Sequence, residues 1–263
     1  MNSAAAEFRA VRFQYPAEAF SILDRLSFRV ERGEFICIIG SSGCGKSTIF
    51  RLMNQLLVPA EGQILVGGED ISGRKHYCGY MPQQDLLFPW RTVAENVRLP
   101  LEIRGGRSRK EMDEMTAEAL KHAGLEAWGS KAPRELSGGM RQRAAFARTL
   151  LTGSELLLLD EPFSALDYLT RLSMREWLLR QWEREKKTVL FITHDVEEAV
   201  FLSTRILAAE RSPITALRSI QGVPDGPGAA GGSAAAALKE RLIALLRKEP
   251  HEEPYHEAAY HEA

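Results

Sequence analysis

The strongest constraint on the fold is an apolar run that leads directly into a glycine-rich loop. Residues 35–39 read Phe-Ile-Cys-Ile-Ile, and such an uninterrupted run is typical of a strand covered on both faces. From Lys46 to about Asn54 the pattern becomes helical. A buried strand, a glycine-rich turn and a helix therefore follow one another without a gap.

The loop matches the pattern Gly-x4-Gly-Lys-Ser in the context that this pattern demands, after a strand and at the start of a helix. Its glycines let backbone N–H groups turn inward as an anion cradle, and the helix N-terminus adds its partial positive charge. We expect Lys46 to reach the outer phosphates of a nucleotide and Ser47 to offer its hydroxyl to magnesium. The predicted nucleotide-binding residues are Gly40, Ser41, Ser42, Gly43, Cys44, Gly45, Lys46, Ser47 and Thr48.

A second apolar strand ends in two carboxylates. Residues 156–159 are four leucines, and Asp160 and Glu161 follow them. Residues at the carboxyl end of a parallel strand face the ligand crevice. Asp160 is suited to bind magnesium, and Glu161 is placed to orient or deprotonate the water that attacks a γ-phosphate.

The order of apolar patterns along the chain predicts the fold class. Strand-like runs occur at residues 7–15, 22–30, 35–39, 63–66, 76–81, 156–159 and 188–193, and helical periods at 92–153 and 168–186. This alternation predicts an α/β fold in which a parallel sheet carries helices on its faces. A chain of 263 residues with 44% hydrophobic content fits one large α/β domain or two small ones.

Composition excludes several classes of protein. With 34 basic and 35 acidic residues, no global field draws the chain onto nucleic acid or anionic lipid, so we expect no nucleic-acid partner. The three cysteines form an odd set without CxxC spacing, and no secretory signal is recognisable, which indicates a reducing, cytoplasmic setting. The most apolar windows span four or five residues, whereas a membrane-spanning helix needs about 20. We therefore expect no membrane span.

Residues 136–143, Leu-Ser-Gly-Gly-Met-Arg-Gln-Arg, resemble the signature of ABC ATPases. Ser137 and the two glycines after it are predicted to open a helix whose N-terminus presents amides and a hydroxyl to an anion. The resemblance covers about residues 7–210, and six motifs follow the order and approximate spacing of the family. They are the glycine-rich loop, Gln83, the signature, the Asp160–Glu161 pair, the Ser-Ala-Leu-Asp segment at 164–167, and His194.

The resemblance implies a P-loop NTPase (RecA-like) core with an N-terminal antiparallel β subdomain and an inserted α-helical signature subdomain. It also implies ATP and Mg²⁺ as cofactors. Two copies would associate head to tail, with each ATP held between the glycine-rich loop of one copy and Ser137, Gly138 and Gly139 of the other. Activity would then require a dimer.

The same resemblance assigns roles to single residues. Tyr15 is similar to the aromatic residue that stacks on adenine, and Gln83 to the glutamine that touches magnesium and the attacking water. Asp167 is similar to the aspartate that crosses the dimer interface, and His194 to the switch histidine on the γ-phosphate. The expected catalytic residues are thus Glu161, His194 and Gln83, and the expected metal ligands are Ser47, Gln83 and Asp160.

Residues 83–93 resemble the Gln-x-x-x-Leu-x-Pro-Trp-x-Thr-Val segment of importer ATPases for nitrate, sulfonates, taurine and thiamine precursors. Met140 stands where many ABC ATPases have glutamine. The expected partners are separate permease subunits and, indirectly, an extracytoplasmic solute-binding protein, with this chain peripheral on the cytoplasmic face of the cell membrane. Trp90 fits either a docking surface or core packing.

Two other classes compete with an importer subunit. A soluble ABC ATPase acting on DNA or ribosomes usually carries long coiled coils or two cassettes, whereas about 50 residues separate Gln83 from Ser137 here, enough for a compact helical subdomain. A regulatory module would bind ATP without turnover. The intact loop lysine, both carboxylates and His194 count against that alternative.

The domain boundaries follow from the motifs and from composition. We expect an ABC ATPase domain at residues 1–220 with the helical subdomain at about 89–153, a flexible linker at 221–233, a helix at 234–248 and a disordered polar tail at 249–263. The tail histidines are five residues apart, so on a helix they would point about 140° from one another and could not chelate a metal together. Beyond Ser203 the resemblance weakens, and no strand is assigned there.

Overall fold

In the computed structural model, which describes residues 4–224, 226–229 and 232–247, the chain forms two β-sheets and several packed helices. The strands are β1 Ala6–Phe13, β2 Leu23–Val30, β3 Phe35–Gly40, β4 Glu61–Val66, β5 Glu69–Asp70, β6 Gly79–Met81, β7 Leu156–Asp160, β8 Thr188–Ile192, β9 Arg205–Ala209 and β10 Arg218–Gln221. The helices are α1 Lys46–Met53, α2 Val93–Arg104, α3 Arg109–His122, α4 Gly138–Leu150, α5 Tyr168–Glu185, α6 Val196–Leu202 and α7 Ser233–Leu246. The predicted polar tail, with its histidines, lies outside the described residues.

The larger sheet has the order β10-β9-β3-β8-β7-β6, and all neighbours pair in parallel except β10 with β9. This confirms the predicted parallel sheet. Every residue of β3 is buried because its two faces enter different cores. Phe35, Cys37 and Ile39 pack with residues of α4 to α7, while Ile36 and Ile38 pack with α1 and the smaller sheet.

The smaller sheet has the order β2-β1-β4-β5 and is antiparallel throughout. It is built almost entirely from the first 70 residues, where the sequence shows strand-like runs without long helices. Phe8, Val11 and Leu26 turn inward to the core shared with α1. The N-terminal antiparallel β subdomain is therefore confirmed.

The helical subdomain consists of α2, α3 and α4, and two short 3-10 turns lie between α3 and α4. Thr92 and Ser108 cap α2 and α3 in reciprocal capping boxes with Glu95 and Glu111, which satisfies the first amides of each helix. Val97, Leu120 and Ala144 are buried in the core that contains β3 and β7. The predicted helical insertion between the strands is confirmed.

Two details of the strands differ from the sequence-based expectations. The predicted strand at 76–81 begins only at Gly79, because His76 has a φ of 58°, which strands do not adopt. Beyond Ser203, where no strand was assigned, Arg205–Ala209 forms β9 beside β3. Its last four residues are buried, so β9 extends the core of the sheet.

Helix α7 packs against the main core through Ala235 and Leu242, which are 3% and 0% exposed. Its Lys239 forms an ion pair with Glu197 at the start of α6. Within the ranges that the structure describes, no helix combines the length and the apolar character that a membrane span requires.

Candidate functional site

Four loops meet at the carboxyl edge of the parallel sheet. The glycine-rich loop follows β3, Gln83 follows β6, Glu161 follows β7 and His194 follows β8. Backbone hydrogen bonds hold two of these loops together at the edge: the amide of Glu161 donates to the carbonyl of Ile192 at 3.0 Å. Adjacent parallel strands thus bring together residues that are far apart in sequence.

The glycine-rich loop encloses the ammonium group of Lys46. This group donates to the carbonyls of Gly40 and Ser41 at 2.9 and 2.7 Å, and Lys46 is 5% exposed. Gly45 has a φ of 109°, and a Cβ there would lie 2.5 Å from Cγ2 of Ile22, so only glycine fits. No side chain caps α1, which leaves the amides of Lys46 and Ser47 for an anion.

Asp160 is buried at the end of β7, with 6% of its surface exposed. Its carboxylate accepts hydrogen bonds from the hydroxyls of Ser47 at 3.1 Å and Tyr80 at 3.4 Å. Burial raises the pKa of Asp160, and the Ser47 hydrogen bond partly opposes that effect. Burial, followed by the charge of Asp160, raises the pKa of Tyr80 to about 12, so the phenol is a donor at neutral pH.

Tyr80 is a member of this site that no motif in the sequence indicates. Its ring lies on β6, whose pairing with β7 places Tyr80 opposite Leu158, two residues before Asp160. Only the order of strands in the sheet reveals this proximity. The signal in the sequence is an aromatic residue three positions before Gln83, which is too common to indicate a role.

The three expected catalytic residues are in contact. Nδ1 of His194 lies 3.1 Å from Oε2 of Glu161, and Nε2 of Gln83 lies 3.4 Å from the same oxygen. The Gln83 amide also donates to Oγ of Ser164 at 3.3 Å. Glu161 has a φ of 44°, a strained conformation for a non-glycine residue of the kind that clusters at functional sites.

Tyr15 lies beside the first turn of α1. Its hydroxyl is 3.3 Å from Oγ1 of Thr48 and accepts a hydrogen bond from Arg51 at 3.2 Å. The ring meets Phe13 edge to face, with 4.9 Å between centroids. The Tyr15 side chain is thus held beside the start of α1.

The signature residues form the N-terminus of α4. Oγ of Ser137 accepts a hydrogen bond from the amide of Met140 at 3.3 Å, as a helix N-cap does. Gly138 lines a groove of about 550 Å³ together with Gln83 and Ser164. Gly139 packs so closely that a Cβ there would lie 2.5 Å from Cγ2 of Thr170.

Asp167 is exposed and caps α5. Its carboxylate accepts from the side chain and the backbone of Thr170, and these hydrogen bonds lower the pKa of Asp167. In the described part of the chain, neither hydrogen bonds nor ion pairs join Ser137 or Asp167 to Lys46 or Glu161. The signature with Asp167, and the glycine-rich loop with Glu161, are thus two groups of candidate residues that no such contact joins within one described copy, although Gly138 and Gln83 border the same groove.

Trp90 is on the surface, with 76% of its area exposed, and stacks on Phe88 with 5.0 Å between ring centroids. The interpretation of Trp90 as core packing is therefore wrong. Leu86, at 56% exposure, is a second apolar side chain on the same segment. Arg148 anchors that segment to α4 by donating to the carbonyls of Asp85 and Leu86 at 2.6 and 2.8 Å.

The chain is similar to known ATP-binding proteins. Residues 23–164 match the sequence model of the ABC transporter family. A formylaminopyrimidine import ATP-binding protein of Halalkalibacterium halodurans is 47% identical over 218 residues, covering 83% of this chain and 84% of the relative. An aliphatic sulfonates import ATP-binding protein of Bacillus cereus is 39% identical over 201 residues, covering 76% and 78%.

Among solved structures, a dimeric ATP-binding cassette in a post-hydrolysis state, bound to ADP and Pi, superimposes with a TM-score of 0.72. It is 30% identical, and the match covers 82% of this chain and 98% of that one. The fold, the order of motifs and the extent of these matches agree. The chain therefore belongs to the ABC transporter family.

Proposed function

We propose that this chain binds and hydrolyses ATP to power an importer. The observation that carries the proposal is the contact between Nδ1 of His194 and Oε2 of Glu161, which lie 3.1 Å apart. Glu161 directly follows Asp160, whose carboxylate is buried. A base, its neighbouring histidine and a metal-suited carboxylate thus lie at one sheet edge with the glycine-rich loop. Phosphoryl transfer to water needs this combination of positioning and charge.

ATP binds along the glycine-rich loop in this proposal. The amides of Lys46 and Ser47 and the ammonium of Lys46 contact the phosphates, since all of them are donors at the glycine-rich loop. The ring of Tyr15 stacks on adenine in this proposal, since its hydroxyl lies 3.3 Å from Oγ1 of Thr48 and keeps an aromatic side chain beside the start of α1. The remaining loop residues contribute backbone groups.

The donor set beside the loop fits Mg²⁺. The Ser47 hydroxyl and the Asp160 carboxylate lie 3.1 Å apart and are oxygen ligands of the kind that Mg²⁺ prefers, and the Gln83 amide can supply a third. The hydrogen-bond partners of Asp160 are hydroxyls, so a cation would offset its desolvation. When bound, Mg²⁺ neutralises charge on the β- and γ-phosphates.

Glu161 acts on the attacking water in this mechanism. Its carboxylate, 20% exposed, orients the water and accepts its proton. His194 contacts the γ-phosphate while its Nδ1 holds Oε2 of Glu161. Gln83 bonds to the same oxygen and so reports the state of the site to the segment that carries Trp90.

The second group of residues serves the other copy of a dimer. Ser137, Gly138 and Gly139 present helix amides, and Asp167 lies exposed at the start of α5. We infer that two copies associate head to tail, so that the α4 N-terminus of one closes over ATP on the other. The proposal is supported by the dimeric solved relative and by the lack, among the described residues, of hydrogen bonds or ion pairs from Ser137 and Asp167 to Lys46 and Glu161.

If the chain powers transport, the segment around Trp90 is the proposed contact with a permease. Leu86 and Trp90 expose apolar area next to Gln83, and such area fits a docking site for a permease. The chain would then lie on the cytoplasmic face of the cell membrane. Because relatives are named for formylaminopyrimidine and sulfonate import, we propose a small organic or inorganic anion, such as a sulfonate, taurine or nitrate, or a thiamine precursor as cargo.

Two measurements test the function. Phosphate release from Mg-ATP by the purified chain is expected to depend on Glu161 and on dimer formation, and a Glu161→Gln protein that hydrolyses ATP at the unmodified rate would refute the assignment. Co-purification of membrane and solute-binding proteins, followed by uptake assays with candidate anions and pyrimidines, tests the transport role. If no permease co-purifies, a soluble ABC ATPase becomes the better description.

A further inference from the structure

One arginine bridges the two loops that carry Asp167 and His194. Arg171 lies in the first turn and a half of α5, and its side chain is 28% exposed. One terminal nitrogen donates to the carbonyl of Leu166, directly before Asp167, at 3.1 Å. The other donates to Oδ2 of Asp195, directly after His194, at 3.4 Å.

The same guanidinium is also linked to Thr193, the residue before His194, through the buried carboxylate of Glu198. Nε of Arg171 lies 3.8 Å from Oε1 of Glu198, which is 4% exposed. The other oxygen of Glu198 accepts a hydrogen bond from the hydroxyl of Thr193 at 2.6 Å. Both neighbours of His194 in sequence are thus tied, directly or through Glu198, to one side chain.

We propose that Arg171 is a positioning residue that couples the Asp167 loop to the His194 loop, so that association of two copies at Asp167 sets the position of His194 against Glu161. The inference rests on the proposed function, in which Asp167 contacts the second copy and His194 contacts ATP. Arg171 itself touches neither the nucleotide nor the reacting atoms.

The geometry suits coupling because a guanidinium is planar and presents its donors in a fixed fork. If the Leu166 carbonyl shifts, the carboxylate of Asp195 therefore has to shift with it, or one of the two hydrogen bonds to Arg171 breaks. Asp195 has a second constraint, since its other oxygen caps α6 by accepting from the amides of Glu197 and Glu198. The guanidinium, the cap and the His194 loop move as one unit.

A kinetic cycle with the full-length chain tests the proposal. Arg171→Met keeps the aliphatic stem, and Arg171→Lys keeps the charge but not the fork. We expect Arg171→Met to lower kcat for ATP about 10-fold without changing ATP affinity, because a misplaced catalytic group affects the rate more than ground-state binding. Arg171→Lys is expected to lose part of that activity. Arg180→Met, on the exposed side of α5 with Glu176 as its ion-pair partner, is the control and should keep the unmodified kcat.

Combination with His194→Ala separates positioning from general damage. If Arg171 acts through His194, the double variant Arg171→Met with His194→Ala is no slower than His194→Ala alone. A further loss of about 10-fold in the double variant, as independent effects would give, overturns the proposal. Should Arg171→Met fail to fold, judged by its thermal unfolding, Arg171→Lys takes its place in the same cycle.

The outcomes also distinguish this inference from the proposed function. If His194→Ala is slow but the Arg171 variants keep the unmodified kcat, the role of Arg171 is refuted and the proposed function still stands. If His194→Ala hydrolyses ATP at the unmodified rate, the role of His194 is refuted and the inference falls with it.

Discussion

The carboxylate of Glu161 accepts a hydrogen bond from Nδ1 of His194 at 3.1 Å, across two adjacent parallel strands. An ionised carboxylate can only accept, so Nδ1 carries the proton and Nε2 is the nitrogen left for another partner. The orientation of the histidine is therefore set by the residue that we propose as the base. This relationship makes Glu161 the most informative position to change.

Glu161→Gln is expected to slow hydrolysis by about 100-fold or more, because the amide cannot take a proton from water. Mg-ATP should still bind, since Lys46, Ser47 and Asp160 remain. The variant should accumulate as an ATP-bound dimer, measured by size-exclusion chromatography with and without Mg-ATP beside phosphate release. A Glu161→Gln variant that binds ATP but stays monomeric would contradict the head-to-tail arrangement.

Two further variants separate nucleotide binding from dimer formation. Lys46→Ala should fail at nucleotide binding and so never form the dimer. Adding Ser137→Arg to Glu161→Gln should abolish the trapped dimer, since the signature of the opposite copy could no longer bind the γ-phosphate. If the double variant still formed the dimer, the signature would not lie in the dimer interface, and the proposed arrangement would be wrong.

Asp160→Asn is expected to stabilise the fold while abolishing Mg-ATP hydrolysis. Burial raises the pKa of Asp160, so its charged form destabilises the fold. That cost is absent below the unfolded-state pKa, grows as the pH rises from that value to the folded-state pKa, and is constant above it. The neutral amide avoids it, and we expect a gain of about 1 kcal/mol at pH 8. Urea unfolding at pH 8 and near the ordinary aspartate pKa of 3.8 should show a smaller gain at the acidic pH; an equal or larger gain there would contradict this account.

Gly139→Ala is expected to destabilise the protein, whereas Gly138→Ala should not. A Cβ at Gly139 would lie 2.5 Å from Cγ2 of Thr170, but at Gly138 the nearest atom is at 3.5 Å, an ordinary contact. We expect a loss of about 1–2 kcal/mol for the first and a gain of up to about 1 kcal/mol for the second from helix propensity. Thr170→Ser removes the clashing methyl and should rescue Gly139→Ala in denaturant unfolding; absence of rescue would place the strain elsewhere.

Trp90→Ala is expected to uncouple transport while leaving ATP binding intact, because the ring is exposed and distant in sequence from the glycine-rich loop. Uptake and permease co-purification should fall together in the reconstituted transporter. Val58→Ala, which changes another exposed apolar side chain, is the control and should behave as the unmodified protein. Equal losses of ATP affinity and uptake in Trp90→Ala would rule out a docking role.

Local sequence patterns accounted for much of the fold and for the candidate residues. Apolar runs with a period of two or 3.6 residues report burial on one or two faces of an element, which is why β3, β7 and α5 could be predicted from their own residues. The glycine-rich loop is local as well, since the left-handed φ of Gly45 is a property of one residue. The motifs that carry the family resemblance lie within such short segments.

Only the tertiary structure decided which residues from different segments meet. The order of strands brings the Tyr80 hydroxyl to Asp160, and the packing of α5 against the loop after β8 lets Arg171 bridge Leu166 and Asp195. The exposure of Trp90 and the place of β9 beside β3 were likewise undecided until the elements were packed. The physical reason is that periodicity fixes which face of an element is buried, whereas the partner of that face depends on sheet order and helix packing, which no single segment encodes.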